Sequence, residues 1–298
     1  RWGEPKWTQE GIGYETSENP KYEARYQWYK KTIDAVYDEY GYEINYVSPG
    51  QNERRRDYGD NTAWIKYCAN RLNEDAEKED ARYDYSQIQI VAADTHSNSK
   101  DIAGRLLSDS ELMDLVDVVS DHYTLYGNSD LTKVNQEYGK EIWYSEGCAT
   151  FGMTSQAERR TDSYVAMGGN QSPLAMVDGY LNSFVFSNMT HYIFQPAIGG
   201  FYDGLQYAHK DLVSAREPWA GYVRYDEALY MTAHFTQFSK SGWAADEDNS
   251  NGIWLGIPQA SNSYAGDNNK NEHLSNEAGK PSYMTLAAPD KSDFSVVA

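Results

Sequence analysis

A chain of 298 residues with 40% hydrophobic content can bury one large core, or one domain plus part of another. No apolar run approaches the length a membrane-crossing helix needs. An excess of 45 acidic over 26 basic side chains, a net charge of −19, excludes a phosphate-binding nucleic-acid protein and fits a neutral substrate. The opening Arg1-Trp2-Gly3-Glu4-Pro5 carries no signal peptide and reads as the interior of a longer polypeptide.

The elements alternate between strand and helix. Residues 20–40 predict a helix with Trp28, Ile33, Val36 and Tyr37 inward, ended by Gly41. A strand follows over 42–48. Asp60 or Asn61 is a candidate cap for a second helix whose apolar face is Trp64, Ile65, Cys68 and Leu72. The run 87–92 predicts a strand ending at Asp94, and 99–114 a helix. A strand over 116–120 ends at His122 and Tyr123, and 142–144 is another. Residues 172–182 read as helix, Phe184-Val185-Phe186-Ser187 as the final barrel strand, and 225–238 as one more helix. Beyond Trp243 the composition turns to Asp, Asn, Ser and Gly. The segments 282–286 and 294–297 then alternate in the β manner.

Such an order predicts an α/β fold with a parallel sheet. About five strand–helix units are visible where a closed (β/α)8 TIM barrel requires eight. The chain is therefore expected to cover roughly strands 4–8. Residues 1–244 would be the C-terminal part of the barrel, and 245–298 a linker and the start of a β-sandwich domain.

Two acids stand out. Glu53 follows the strand 42–48 after Pro49-Gly50-Gln51-Asn52, and Glu146 closes Ile142-Trp143-Tyr144-Ser145. A carboxylate at the C-terminal end of a barrel strand lies where such folds build their chemistry. Two such acids, among 26 Tyr and eight Trp whose rings can stack on sugar faces, predict a glycoside-cleaving pair. One would be a proton donor of raised pKa, preceded by an Asn for the sugar 2-hydroxyl, and the other an ionised nucleophile. Taken alone, Glu53 reads more readily as a strand-end acid paired with Arg54, Arg55 or Arg56. The two cysteines, Cys68 and Cys148, read as small buried hydrophobes. No cluster has metal-ligand spacing, so neither metal nor cofactor is expected.

The segments Glu217-Pro218-Trp219-Ala220-Gly221, Thr232-Ala233-His234-Phe235-Thr236-Gln237-Phe238 and Gly242-Trp243 resemble glycoside hydrolase family 59. So do Trp2-Gly3-Glu4-Pro5-Lys6-Trp7, the stretch Leu106–Tyr123 and Trp143-Tyr144-Ser145-Glu146. The resemblance spans nearly all of residues 1–243. It implies a retaining β-galactosidase of the galactosylceramidase type, with Glu53 as acid/base and Glu146 as nucleophile. Trp2 becomes a sugar-stacking wall and Asn52 the 2-hydroxyl ligand. His122 and Tyr123 face the same mouth, Trp219 shapes the pocket wall, and Tyr207 (or Tyr202) contacts galactose. His234 matches the family as a structural helix residue. The expected partner is a β-galactoside, and the setting extracellular or lysosome-like. Two positions depart from the family pattern, with Gln51 and Ser187 standing where Trp is usual. Alternatives are a retaining glycanase of the family 30 type and a non-catalytic carbohydrate-binding barrel.

Overall fold

The computed structural model describes residues 20–49, 62–94, 99–122, 129–147, 173–200, 211–216, 219, 221–225, 227–239, 254–263 and 279–298. Its fold is α/β, as expected for part of a (β/α)8 barrel, with two small extra sheets. Five strands hydrogen-bond in chain order: β1 (Tyr46–Val47), β2 (Gln89–Ala92), β3 (Val118–His122), β4 (Glu141–Gly147) and β5 (Met189–Phe194). The β1–β2 and β2–β3 pairs are parallel, with Val47 opposite Ile90 and Val91 opposite Val118. By contacts the chain forms two units, residues 1–124 with 130–143, and residues 125–129 with 144–298.

In the first unit, helices alternate with the strands: α1 (Pro20–Tyr40), α2 (Thr62–Ala76), α3 (Ser99–Ser108), α4 (Ser110–Leu115) and α5 (Ser129–Tyr138). Helix α2 buries Trp64, Ile65, Cys68, Ala69 and Leu72, one face of a 3.6-residue repeat and the face expected. Helix α1 differs from expectation. Tyr22, Arg25, Tyr26 and Ile33 are the buried positions, while Trp28, Val36 and Tyr37 are only half-buried. Tyrosine satisfies an interior site when its hydroxyl finds an acceptor. Tyr26 does so, donating to Asp75 at 2.7 Å. The predicted helix 99–114 is two helices, because Asp109 takes extended backbone and caps α4 by accepting from Leu112 N at 3.1 Å. Helix α5 went unread in the sequence, having only Leu131 and Val134 as buried aliphatics.

The α1–α2 contact is fastened by charge. Arg71 donates Nε and Nη2 to the Glu23 carboxylate, both at 3.1 Å, and Tyr67 donates to Glu23 at 2.6 Å. The Arg71 hydrogen bond is the main reason the Glu23 carboxyl is held down at about 2. A group whose folded pKa lies below its unfolded value of 4.5 stabilises the fold above that value and loses the contribution as pH falls toward 2. The urea midpoint should therefore drop on acidification below about pH 4.5. Glu23→Gln should lower the neutral-pH midpoint and flatten this slope; an unchanged slope would show that titration of Glu23 is not the source of the acid loss.

In the second unit, helix α6 (Pro173–Tyr180) continues as π-helix over Leu181–Phe186. This corrects the expected barrel strand at 184–187. A short apolar run does not by itself separate a buried helix from a strand. Here Leu181, Val185 and Phe186 are buried in the core, and the strand begins at Met189. Ser187 therefore precedes a strand instead of ending one. The core joins Met176, Tyr180, Leu181, Val185 and Phe186 to Phe235 of α7 (Glu227–Thr236). It also includes Met284 and Leu286 of β10 (Met284–Ala287). Strand β10 lies between β9 (Leu255–Gly256) and β11 (Phe294–Val297). Gly256 is required there, since a Cβ would fall 2.9 Å from the Phe184 carbonyl oxygen. A third sheet comprises β6 (Ile198–Gly200), β7 (Val213–Arg216) and β8 (Tyr222–Tyr225). Strand β8 occupies the start of what read as helix 225–238. The expected boundary at 244/245 lies outside the described residues.

Candidate active site

Of the residues read as functional, Trp2, Asn52, Glu53, Tyr123 and Tyr207 lie outside the described residues, as do Gln51, Tyr202 and Cys148. Glu146, His122 and Trp219 lie within them.

The backbone that leads toward Asn52-Glu53 is tightly held in the first unit. The Pro49 carbonyl accepts from Trp64 Nε1 at 2.5 Å, the Tyr29 hydroxyl at 3.0 Å and Arg25 Nη2 at 3.4 Å. The Arg25 guanidinium lies 4.5 Å from the centre of the Trp64 ring, and both side chains are buried. Three donors from two helices thus converge on one acceptor just past β1. Cys68 is buried on the same helix as Trp64, and burial pushes its thiol up to about 12.

At the ends of β2 and β3 the structure adds a residue that the sequence reading passed over. The pairing of Val91 with Val118 and Ala92 with Val119 puts Val118, Ser120 and His122 on the face shared by Val91. Regular alternation would send Asp94 to the opposite face. Ala93, fully buried, instead takes φ +66, a left-handed conformation uncommon for alanine. The pleat breaks there, and Asp94 Oδ1 comes 2.9 Å from His122 Nε2. An ionised carboxylate only accepts, so Nε2 carries the proton in this pair. The Ser120 hydroxyl adds a longer contact to Oδ1 at 3.5 Å. His122 is 0% exposed, whereas the Asp94 side chain keeps 14% of its surface. Asp94, not the histidine, is the open member of the pair. Nothing in residue type announced an αL alanine at 93, although Asp at one strand end and His at the next were both visible.

In the second unit Glu146 lies inside β4, one residue before its end, and is partly buried. The predicted strand 142–144 extends over the acid, so the carboxylate sits on strand backbone and not on a loop. Tyr144 is buried and packs on Tyr192 with ring centres 4.4 Å apart. Its ring fills the space that a Cβ at Gly147 would need. Residues three apart on a regular strand face opposite sides, so the pleat is distorted across Ser145-Glu146. The Gly147 carbonyl accepts from Gln195 N at 2.8 Å, which fastens the strand end. Gly147→Ala should cost about 1–3 kcal/mol, because the Tyr144 ring is pinned and cannot yield. It should also lower turnover through the neighbouring acid. Urea unfolding would check the first effect, and wild-type stability in the variant would show that Tyr144 moves freely. Trp219 is 85% exposed, and His234 stands exposed on the last turn of α7.

A sheet assembled in chain order with helices between its strands, carrying acids at or near strand ends, has the architecture of barrel glycosidases. The profile of "Glycosyl hydrolase family 59" matches residues 1–237, and the chain belongs to that family. It is similar to galactocerebrosidase of Macaca mulatta, 28% identical over 157 residues, and to that of Homo sapiens, 27% identical over 157. Each match covers 53% of this chain and 20% of the relative. The chain thus matches about a fifth of the length of these curated relatives. Among solved structures it is similar to SrfJ from Salmonella typhimurium, with a TM-score of 0.57 and 13% identity. It is also similar to the endo-beta1,6-glucanase BT3312, with a TM-score of 0.53 and 14% identity. Each alignment covers 90% of this chain and 54% of the other, and at such identity they speak to fold alone. Among the described residues no helix is long and apolar enough to cross a membrane.

Proposed function

We propose that this chain carries the catalytic acids of a retaining β-galactosidase of the galactosylceramidase type, working in an extracellular or lysosome-like setting. Glu146 attacks the anomeric carbon while Glu53 protonates the departing oxygen. Glu53 then takes a proton from water, which releases the sugar from Glu146. A retaining pair requires carboxyl groups about 5–5.5 Å apart. Asn52 serves the 2-hydroxyl, Trp2 and Trp219 line the sugar site, and Tyr207 and Tyr123 complete its polar edge, with His122 buried behind it. The observation that carries this reading is the family match over residues 1–237, which includes both acids. Similarity to galactocerebrosidases supports galactose as the sugar.

The test is hydrolysis of an aryl β-galactoside by the full-length protein, followed by proton NMR. β-Galactose should appear first and then mutarotate. First-formed α-galactose would overturn the double displacement. Oligosaccharide products from a polysaccharide, with no galactose released, would favour a glycanase.

A further inference from the structure

We propose that Asp94 is a sugar-binding residue, a carboxylate held rigid by His122 so that its second oxygen receives substrate hydroxyls. The inference deepens the glycosidase reading and rests on it for the choice of ligand. Four observations carry it.

Asp94 follows the C-terminal end of a parallel strand, the end from which barrel folds present binding groups. Its direction is not that of the pleat. The left-handed Ala93 turns it onto the face of Ser120 and His122, and such a conformation in a buried alanine costs free energy that a mere connecting turn does not require. The two oxygens are in unequal states. Oδ1 accepts from His122 Nε2 at 2.9 Å, while Oδ2 accepts from no donor among the described residues. Finally the histidine is sealed, at 0% exposure, and the acid is not, at 14%.

A buried N–H aimed at one carboxylate oxygen removes rotational freedom before any ligand arrives, so less is lost when one binds. The remaining oxygen is acceptor-only, and its natural partner is an O–H donor. A polyhydroxylated neutral ligand fits, and the acidic composition leaves a neutral sugar as the favoured class. His122 acts here through Asp94 and is a positioning residue.

The test uses galactose and its 3-, 4- and 6-deoxy analogues, titrated calorimetrically against full-length wild type, Asp94→Ala and Asp94→Asn. Wild type should bind galactose and lose about 10- to 100-fold in affinity for the one analogue that lacks the contacted hydroxyl. Asp94→Ala should weaken galactose binding by the same factor, yet bind that analogue within about 2-fold of wild type. Asp94→Asn keeps the side-chain volume and one oxygen, so it should recover part of the loss. Equal weakening across all three analogues would mean that Asp94 only supports the fold and would overturn the inference. So would absence of galactose binding to wild type. A wild type that binds galactose through Asp94 but hydrolyses no aryl β-galactoside would instead sink the proposed function and leave this inference standing.

Discussion

Replacing Glu146 by glycine should lower aryl β-galactoside hydrolysis by at least about 10⁴-fold, and added azide should restore reaction with α-galactosyl azide as product. The glycine leaves a space on the face from which the carboxylate attacked. A small anion occupying it reacts in one displacement and inverts the anomeric centre. In Glu53→Gly the nucleophile remains, so azide should intercept the glycosyl-enzyme and give the β-azide. Opposite anomers from the two variants separate nucleophile from acid/base. The same anomer from both would exchange or abolish the roles. Glu146 lies within the hydrogen-bonded part of β4, beside the pinned Tyr144 ring. Loss of its carboxylate should therefore leave the thermal midpoint within a few degrees of wild type, and a collapse in stability would point to a structural acid.

Trp64→Ala should destabilise the first unit by about 3–5 kcal/mol, the usual cost of truncating a buried tryptophan. The indole is fully buried, has Tyr22 at 5.3 Å between ring centres, and carries Arg25 over its face. It also supplies the shortest of three hydrogen bonds to the Pro49 carbonyl. Trp64→Phe keeps most of the packing and loses the donor, while Tyr29 and Arg25 still serve the acceptor, so about 1 kcal/mol is expected. Guanidinium midpoints with unchanged slope would measure both costs. A Trp64→Ala variant within 1 kcal/mol of wild type would show that the α2 face is not the core it forms here.

Much of this was legible because periodicity and chemistry agreed. Trp64, Ile65, Cys68 and Leu72 share a face by spacing alone, and the structure buries that face. The strand around Val91 and the alternation of Met284 and Leu286 were readable for the same reason. The failures have equally local causes. Phe184–Ser187 is apolar at every position but one, and such a run carries no period to tell π-helix from strand. In α1, Tyr26 took the interior because its hydroxyl found partners on α2, information that lies 45 or more residues away. At the site, Glu146 was legible from its place after an apolar run. The Asp94–His122 contact was not, since it depends on a left-handed backbone at Ala93 that alanine does not advertise.

The central claim, that Glu146 is the nucleophile of a retaining β-galactosidase, is tested most directly by covalent trapping. The full-length protein is incubated with a 2-deoxy-2-fluoro-β-galactosyl fluoride, whose slow deglycosylation lets the intermediate accumulate, then digested and sequenced by mass spectrometry. The account predicts time-dependent inactivation and a fluorosugar ester on Glu146 within the peptide that spans Glu141–Gly147. A label on any other residue, or continued turnover with no label, would contradict it.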